Sequence, residues 1–342
     1  MKPDAGLEVV ERLRVALEPG GEWRSEGVRG FTWWPSTFSQ RVHAGEAEPV
    51  AGAVAWRVRV ELPLLRGVEG GAARFAVLAR WNALRPGLSA LRWNGDDRTV
   101  SLHAAALARP GDEARVASVL ATAALFQLAD AARDARALAR ELGAVLADSA
   151  PPGGAPRVTP DALVEGWRRV AEAGAGPSPF TAERLRRAAA ADPPPWKLVH
   201  VDEAGLHAEL PCALPGEAPA GSAPGAGVAL LHLLAAQPHP AYGAGLVAAL
   251  SLPPEAEPVA ERAVSTSVLL NEAEAREGVA FDALGAWCVH PQAGLSFVGF
   301  WPALLDAPGL IERLAWASAL RARWARDLLA KAHALRANAP GA

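Results

Sequence analysis

Side chains able to hold a proton, a metal or an attacking electron pair are few in this chain, and the most suggestive lie close together. In GAWCVHPQAGLSFVGF, Gly285 to Phe300, Cys288 stands two residues before His290, among Trp287, Phe297 and Phe300. Strand residues two apart share a face, so a thiol and an imidazole could meet there. A catalytic thiolate needs a base and a lowered pKa, and a zinc site needs two further ligands. The residues that follow, PQAG, form a turn sequence that sets His290 at a hairpin end near water, and no neighbouring Cys or His completes a metal spacing. Cys288 is expected to be a small buried apolar residue and His290 a polar strand end.

A second set lies in HVDEAGLH, where His200 and His207 flank a DEAG turn and Cys212 follows. These three form the least implausible catalytic cluster, but neither HExxH nor paired CxxC is present, so packed or solvated histidines are expected. No metal, no cofactor and no catalytic residue is assigned. The pattern Gly243-Ala-Gly245-Leu-Val-Ala248 matches the looser GxGxxA form, yet Pro253 and Pro254 would stop the helix that a dinucleotide site requires. The segment PGEAPAGSAPGAG reads as a long hairpin loop. Walker A and GxSxG are absent, and the pairs Asp96-Asp97 and Asp202-Glu203 occupy turns.

The chain has 12 tryptophans against one tyrosine and eight phenylalanines. Trp33, Trp34, Trp56, Trp93, Trp287 and Trp301 stand in extended segments or hairpins and are the candidate partner-binding residues, since tryptophan supplies a large rigid contact area. Most are expected in the core. The Trp33-Trp34 doublet is the exception: adjacent strand residues face opposite sides, so one indole should stay accessible unless both faces are covered.

These residues need a scaffold, and 342 residues can bury a substantial core. The composition, 51% hydrophobic and 21% charged, is that of a folded chain. A formal charge of -3 gives no global field toward nucleic acid or an anionic membrane, so neither is expected as a partner. Two cysteines are too few for a disulfide scaffold. The N-terminal apolar positions are broken by Asp4, Glu8, Glu11 and Arg12, and no run is long enough for a membrane span. A cytoplasmic location is expected.

The segment SAPPGGAPRVTP divides the chain into residues 1–148, a linker 149–160, and residues 161–342. Each half reads as α-βββ-α-ββ-α. In the first, AWRVRVELPLL alternates plainly, Trp56, Val58, Val60 and Leu62 on a dry face, Arg57, Arg59 and Glu61 on a wet one. Both middle helices carry an asparagine near the end, Asn82 and Asn271. Both following hairpins carry a tryptophan, Trp93 and Trp287, and both last helices open on Pro-Gly. The fold class expected is α+β: two tandem units, each an antiparallel sheet with packed helices, forming a pseudo-dimer.

This order, with its Asn-bearing middle helix, aromatic hairpin and long last helix, resembles the type III secretion chaperone-like family that includes YbjN-type proteins, taken twice. The resemblance implies a non-enzymatic chaperone or adaptor that binds a segment of a partner protein, as a monomeric pseudo-dimer or a homo-oligomer. An enzyme with its site assembled between the halves, and a structural subunit of a larger assembly, are the competing classes.

Overall fold

The computed structural model describes residues 4–18, 20–173, 178–190, 196–212, 227–236, 238–252, 260–276, 279–290 and 293–337. Most of the expected hairpin loop from Pro215 to Gly227, and Pro253-Pro254, lie outside them. The first unit runs α1 (Ala5–Leu17), β1 (Arg24–Gly27), β2 (Gly30–Trp33), β3 (Gln40–Val50), β4 (Ala53–Arg66), α2 (Ala72–Leu84), β5 (Ala90–Asn94), β6 (Thr99–Ala108), α3 (Glu113–Leu142) and β7 (Val145–Leu146). There follow α4 (Ala162–Ala173), α5 (Ala182–Ala189), β8 (Lys197–Val201), β9 (Gly205–Pro211), β10 (Val228–Leu234), β11 (Gly245–Ser251), α6 (Ala260–Arg276), β12 (Ala286–His290), β13 (Gly294–Pro302) and α7 (Leu310–Ala337).

The strands form two antiparallel sheets. One has the order β1-β2-β3-β4-β6-β5, with β7 added to β4, and the other β8-β9-β10-β11-β13-β12. Strand for strand the two orders are the same, so the fold is α+β and tandem. Each unit has four strands before its middle helix rather than the three expected. FTWWPSTFSQRV holds two strands: β2 ends at Trp33, the chain bends through Pro35-Ser36-Thr37, and β3 starts at Gln40. A proline has no N–H for a ladder, and here it ends the strand. In the second half GLVAALSL is β11, which completes the four; its glycines precede no helix.

The first core is built as the alternation requires. Val58, Val60 and Leu62 of β4 are fully buried beneath α1 and α3. α1 starts where Asp4 accepts the N–H of Leu7, and it buries Val9, Leu13 and Leu17. α3 ends at Gly143 in the left-handed conformation that glycine adopts without strain. Among the described residues it is the one helix long and apolar enough to cross a membrane, and 61% of its apolar window is buried inside the protein.

The units meet reciprocally. α2 packs on α6, α2 also on β12, and α6 on β5. The segment before each edge strand reaches the other unit: Ala283 pairs in both directions with Ala105 of β6, and the N–H of Phe300 on β13 donates to the Gly87 carbonyl. The expected wet face of β4 is therefore not wet at Arg57, which is 2% exposed. Its guanidinium pairs with Glu48 and donates to the carbonyls of Val279 and Phe281. The linker lies on the first unit, with Ser149 N–H on the Thr37 carbonyl and Asp161 N–H on that of Pro35. α4 packs on α3, Trp167 against Phe126, so the helix that plays α1's part in the second unit is α5, set against β8, β9 and α7.

Candidate functional site: a cleft shared by the two units

The two units anchor their edge strands in the same way. The Asn82 side chain accepts the Leu91 N–H at 2.9 Å and donates to the Leu91 carbonyl at 3.2 Å. Asn271 does the same to Trp287, at 2.7 and 2.9 Å. Each amide thus satisfies one residue's free backbone groups on a strand with no further neighbour. Leu91 pairs with Leu102 and Trp287 with Phe297, which fixes the correspondence along the central strands. Trp93 and Trp287, expected as counterparts, are not: Leu91 stands where Trp287 stands.

Counting on from that register, the inward residues Ala104 and Ala106 of β6 correspond to Gly299 and Trp301 of β13. The alanines let α3 settle over β4 and β6. The Trp301 indole fills the corresponding space, and α7 lies instead over β9, β10 and β11. The gap is a cleft of about 200 Å³. Its floor is Leu250, Phe297 and Trp301, its roof Leu310 and Leu314, and one side is α3 of the other unit, through Arg115 and Val119.

Two arginines stand at corresponding places on its rim. Arg115 and Arg313 are each the fourth residue after the glycine of a Pro-Gly. Arg115 pairs with Asp112 at 2.9 Å and lies 3.6 Å from Asp282; burial opposes its charge, but these two carboxylates raise its pKa. Arg313 donates to the Pro308 carbonyl at 3.0 Å and has no ion pair among the described residues. Burial, then the charge of Arg115, lower its pKa. Asp306 pairs with Arg184 through one oxygen, while its other oxygen, Oδ1, is buried without a hydrogen-bond partner. At the inner end Arg321 forks onto Glu274 at 2.8 Å and lies 3.6 Å from the centre of the Phe297 ring. An apolar hollow with one unmatched cation and one unmatched acceptor can hold an apolar side chain and polar groups beside it.

The residues singled out in the sequence fall elsewhere or play other parts. Trp33, Trp34, Trp56, Trp287 and Trp301 are all buried, and Trp93 is half-buried with its N–H on the Val68 carbonyl. Neither indole of the Trp33-Trp34 doublet is accessible, which corrects the expectation. Trp33 donates to Gln40 in the core, and Trp34, beneath the linker, donates to Ser149. Of the six, only Trp301 lines the cleft. Cys288 is buried, and burial pushes its thiol up to about 12, so it offers no thiolate beside His290. His200 and His207 do come together, but Cys212 is buried on the other face of the sheet, and the neighbour they gain is His232.

Sequence reasoning missed Arg115, Arg313 and Asp306, although the Pro-Gly that aligns the two arginines is visible in it. The fold and cleft define a tandem α+β pseudo-dimer with a partly apolar hollow where the units meet. Compared with protein-family models, curated proteins and solved structures, the chain has no significant match to any of them.

Proposed function

We propose that the protein is a non-enzymatic binding module, a chaperone or adaptor, that holds a segment of a partner protein in the shared cleft. A bulky apolar side chain of the partner enters between Trp301 and Leu314, and an acidic residue beside it meets Arg313. The observation that carries this reading is the cleft itself, apolar inside and rimmed by a cation without an ion pair among the described residues. At about 200 Å³ it suits one or two side chains better than a drug-sized molecule, whose pockets run from about 300 to 1,000 Å³. Apolar surface continues outside: Leu304 in the lining is 53% exposed, and Trp316 on α7 is 50% exposed. The likeness to secretion chaperones read from the element order implies the same class of function.

Phage-displayed peptides selected on the full chain test the proposal. The expected peptides carry a large apolar residue next to Asp or Glu, and their affinity falls at least tenfold for Ala317→Trp, which fills the cleft, and for Arg313→Glu. Peptides without that pattern, or affinities unchanged in both folded variants, would overturn it.

A further inference from the structure

The second sheet carries, on the face turned away from α7, a row of histidines that the cleft does not use. β8, β9 and β10 are neighbours, and their register sets His200 opposite His207 and His207 opposite His232. The ring centres follow at 6.3 and 4.8 Å. In the second pair the two Nδ1 atoms face each other across 2.5 Å. Hydrogen bonds from N–H ordinarily span about 2.7 to 3.2 Å, and one neutral ring must donate while the other accepts. Two imidazole nitrogens brought this close can also share a cation.

The surroundings leave the pair available. His207 and His232 are half-buried, and Leu230, two residues along β10 on the same face, is 45% exposed. His200 is engaged elsewhere, its Nε2 lying 3.1 Å from Asp202, which also accepts the N–H groups of Ala204 and Gly205.

We propose that His207 and His232 bind a divalent transition ion of the imidazole-preferring class, copper, nickel or zinc, through their two Nδ1 atoms. Among the described residues no three donors form a metal-holding group, so water completes the shell and the ion exchanges with solvent. Two tetrahedral bonds of about 2.0 Å put their nitrogens about 3.3 Å apart, so the rings need to separate by less than about 1 Å. No linear spacing reveals such a site, because its ligands face each other across two strands and belong to GLHAELP and VALLHLL. The inference is independent of the cleft, which lies beneath α7.

Calorimetric titration of the full metal-free chain at pH 7.5 with copper, nickel or zinc chloride should give one saturable site. His207→Ala and His232→Ala should each weaken it at least tenfold, whereas His200→Ala should change it less than threefold. The copper complex should show two equivalent nitrogen couplings by electron paramagnetic resonance. Melting curves identify any variant that fails to fold; the conservative His207→Gln and His232→Gln then replace it with the same expected loss. A wild-type isotherm that the folded double variant reproduces, or the absence of saturable binding, overturns the proposal.

Discussion

The two long helices differ where the two units are otherwise alike. α3 lies over β4 and β6, and α7 over β9, β10 and β11, although the sheets share one strand order and one asparagine clasp. Beneath the two helices the inward positions differ, Ala104 and Ala106 in β6 against Gly299 and Trp301 in β13, and the largest change in size is Ala106 against Trp301. Small residues let a helix descend onto a strand, and an indole holds it off, because a close-packed core leaves no room for both. A tandem fold can thus keep its architecture through topology and clasps while varying inward side chains to open a hollow in one copy. The arginines that rim this hollow remain at matching positions in both helices. Both border the one hollow, Arg115 from α3 and Arg313 from α7.

Exchanging Ala106 and Trp301 breaks the comparison most strongly. Trp301→Ala removes a buried indole and should cost about 3 to 5 kcal/mol. Ala106→Trp forces an indole beneath α3 and should cost about 1 to 3 kcal/mol through overpacking. Denaturant unfolding measures both. If Ala106→Trp is tolerated within about 0.5 kcal/mol, side-chain size is not what sets the height of the helices.

What was legible in the sequence follows from this. Strand alternation, Pro-Gly helix starts and the two asparagines are local patterns, and they lead to the tandem order and to the clasping residues. The split of FTWWPSTFSQRV was missed because its apolar residues run on across Pro35, and propensity does not mark where pairing stops. The Trp33-Trp34 doublet misled for a different reason: the linker that covers Trp34 is rich in proline and glycine and has no periodic apolar pattern, so nothing in it announces burial. The cleft could not be read at all, since it depends on how far a helix rides above its sheet and on α3 of the other unit.

The outward faces sharpen the contrast further. Register places His103 of β6 where β13 has Val298, and opposite it Glu61 where β11 has Ala249. His103 is 3% exposed, neither ring nitrogen has a hydrogen-bond partner, and burial, then Arg92, Arg59 and Arg57, lower its pKa to about 3. The ring is neutral in the folded chain and takes a proton near pH 6.5 when unfolded. Its contribution to stability is therefore complete above pH 6.5 and lost as pH falls toward 3, by about 1.4 kcal/mol per unit. His103→Val, which copies the second unit, should lose about 2 to 3 kcal/mol less than the parent between pH 6.5 and 4.5 in denaturant titrations. Equal losses would mean that the parent's His103 is solvated.

The smallest effect tests what the units share. Removing either clasp, Asn82→Ala or Asn271→Ala, leaves one backbone N–H and one carbonyl on an edge strand without their partners. A buried polar group so stranded costs about 1 to 3 kcal/mol, and both clasps are buried, so each loss should fall in that range. The clasp on Trp287 has one addition, the indole N–H donating to Glu274 at 2.8 Å, which is itself held by Arg321. That support anchors the side chain rather than the backbone, so it should leave the two costs within about 0.5 kcal/mol of each other. Amide hydrogen exchange gives the local reading: protection should fall at Leu91 in one variant and at Trp287 in the other, with the opposite clasp unchanged. A loss at both strands from either substitution would show that the edges are coupled across the α2 and α6 contact. A large inequality would show that Glu274 and Arg321 have made the second clasp a different device from the first.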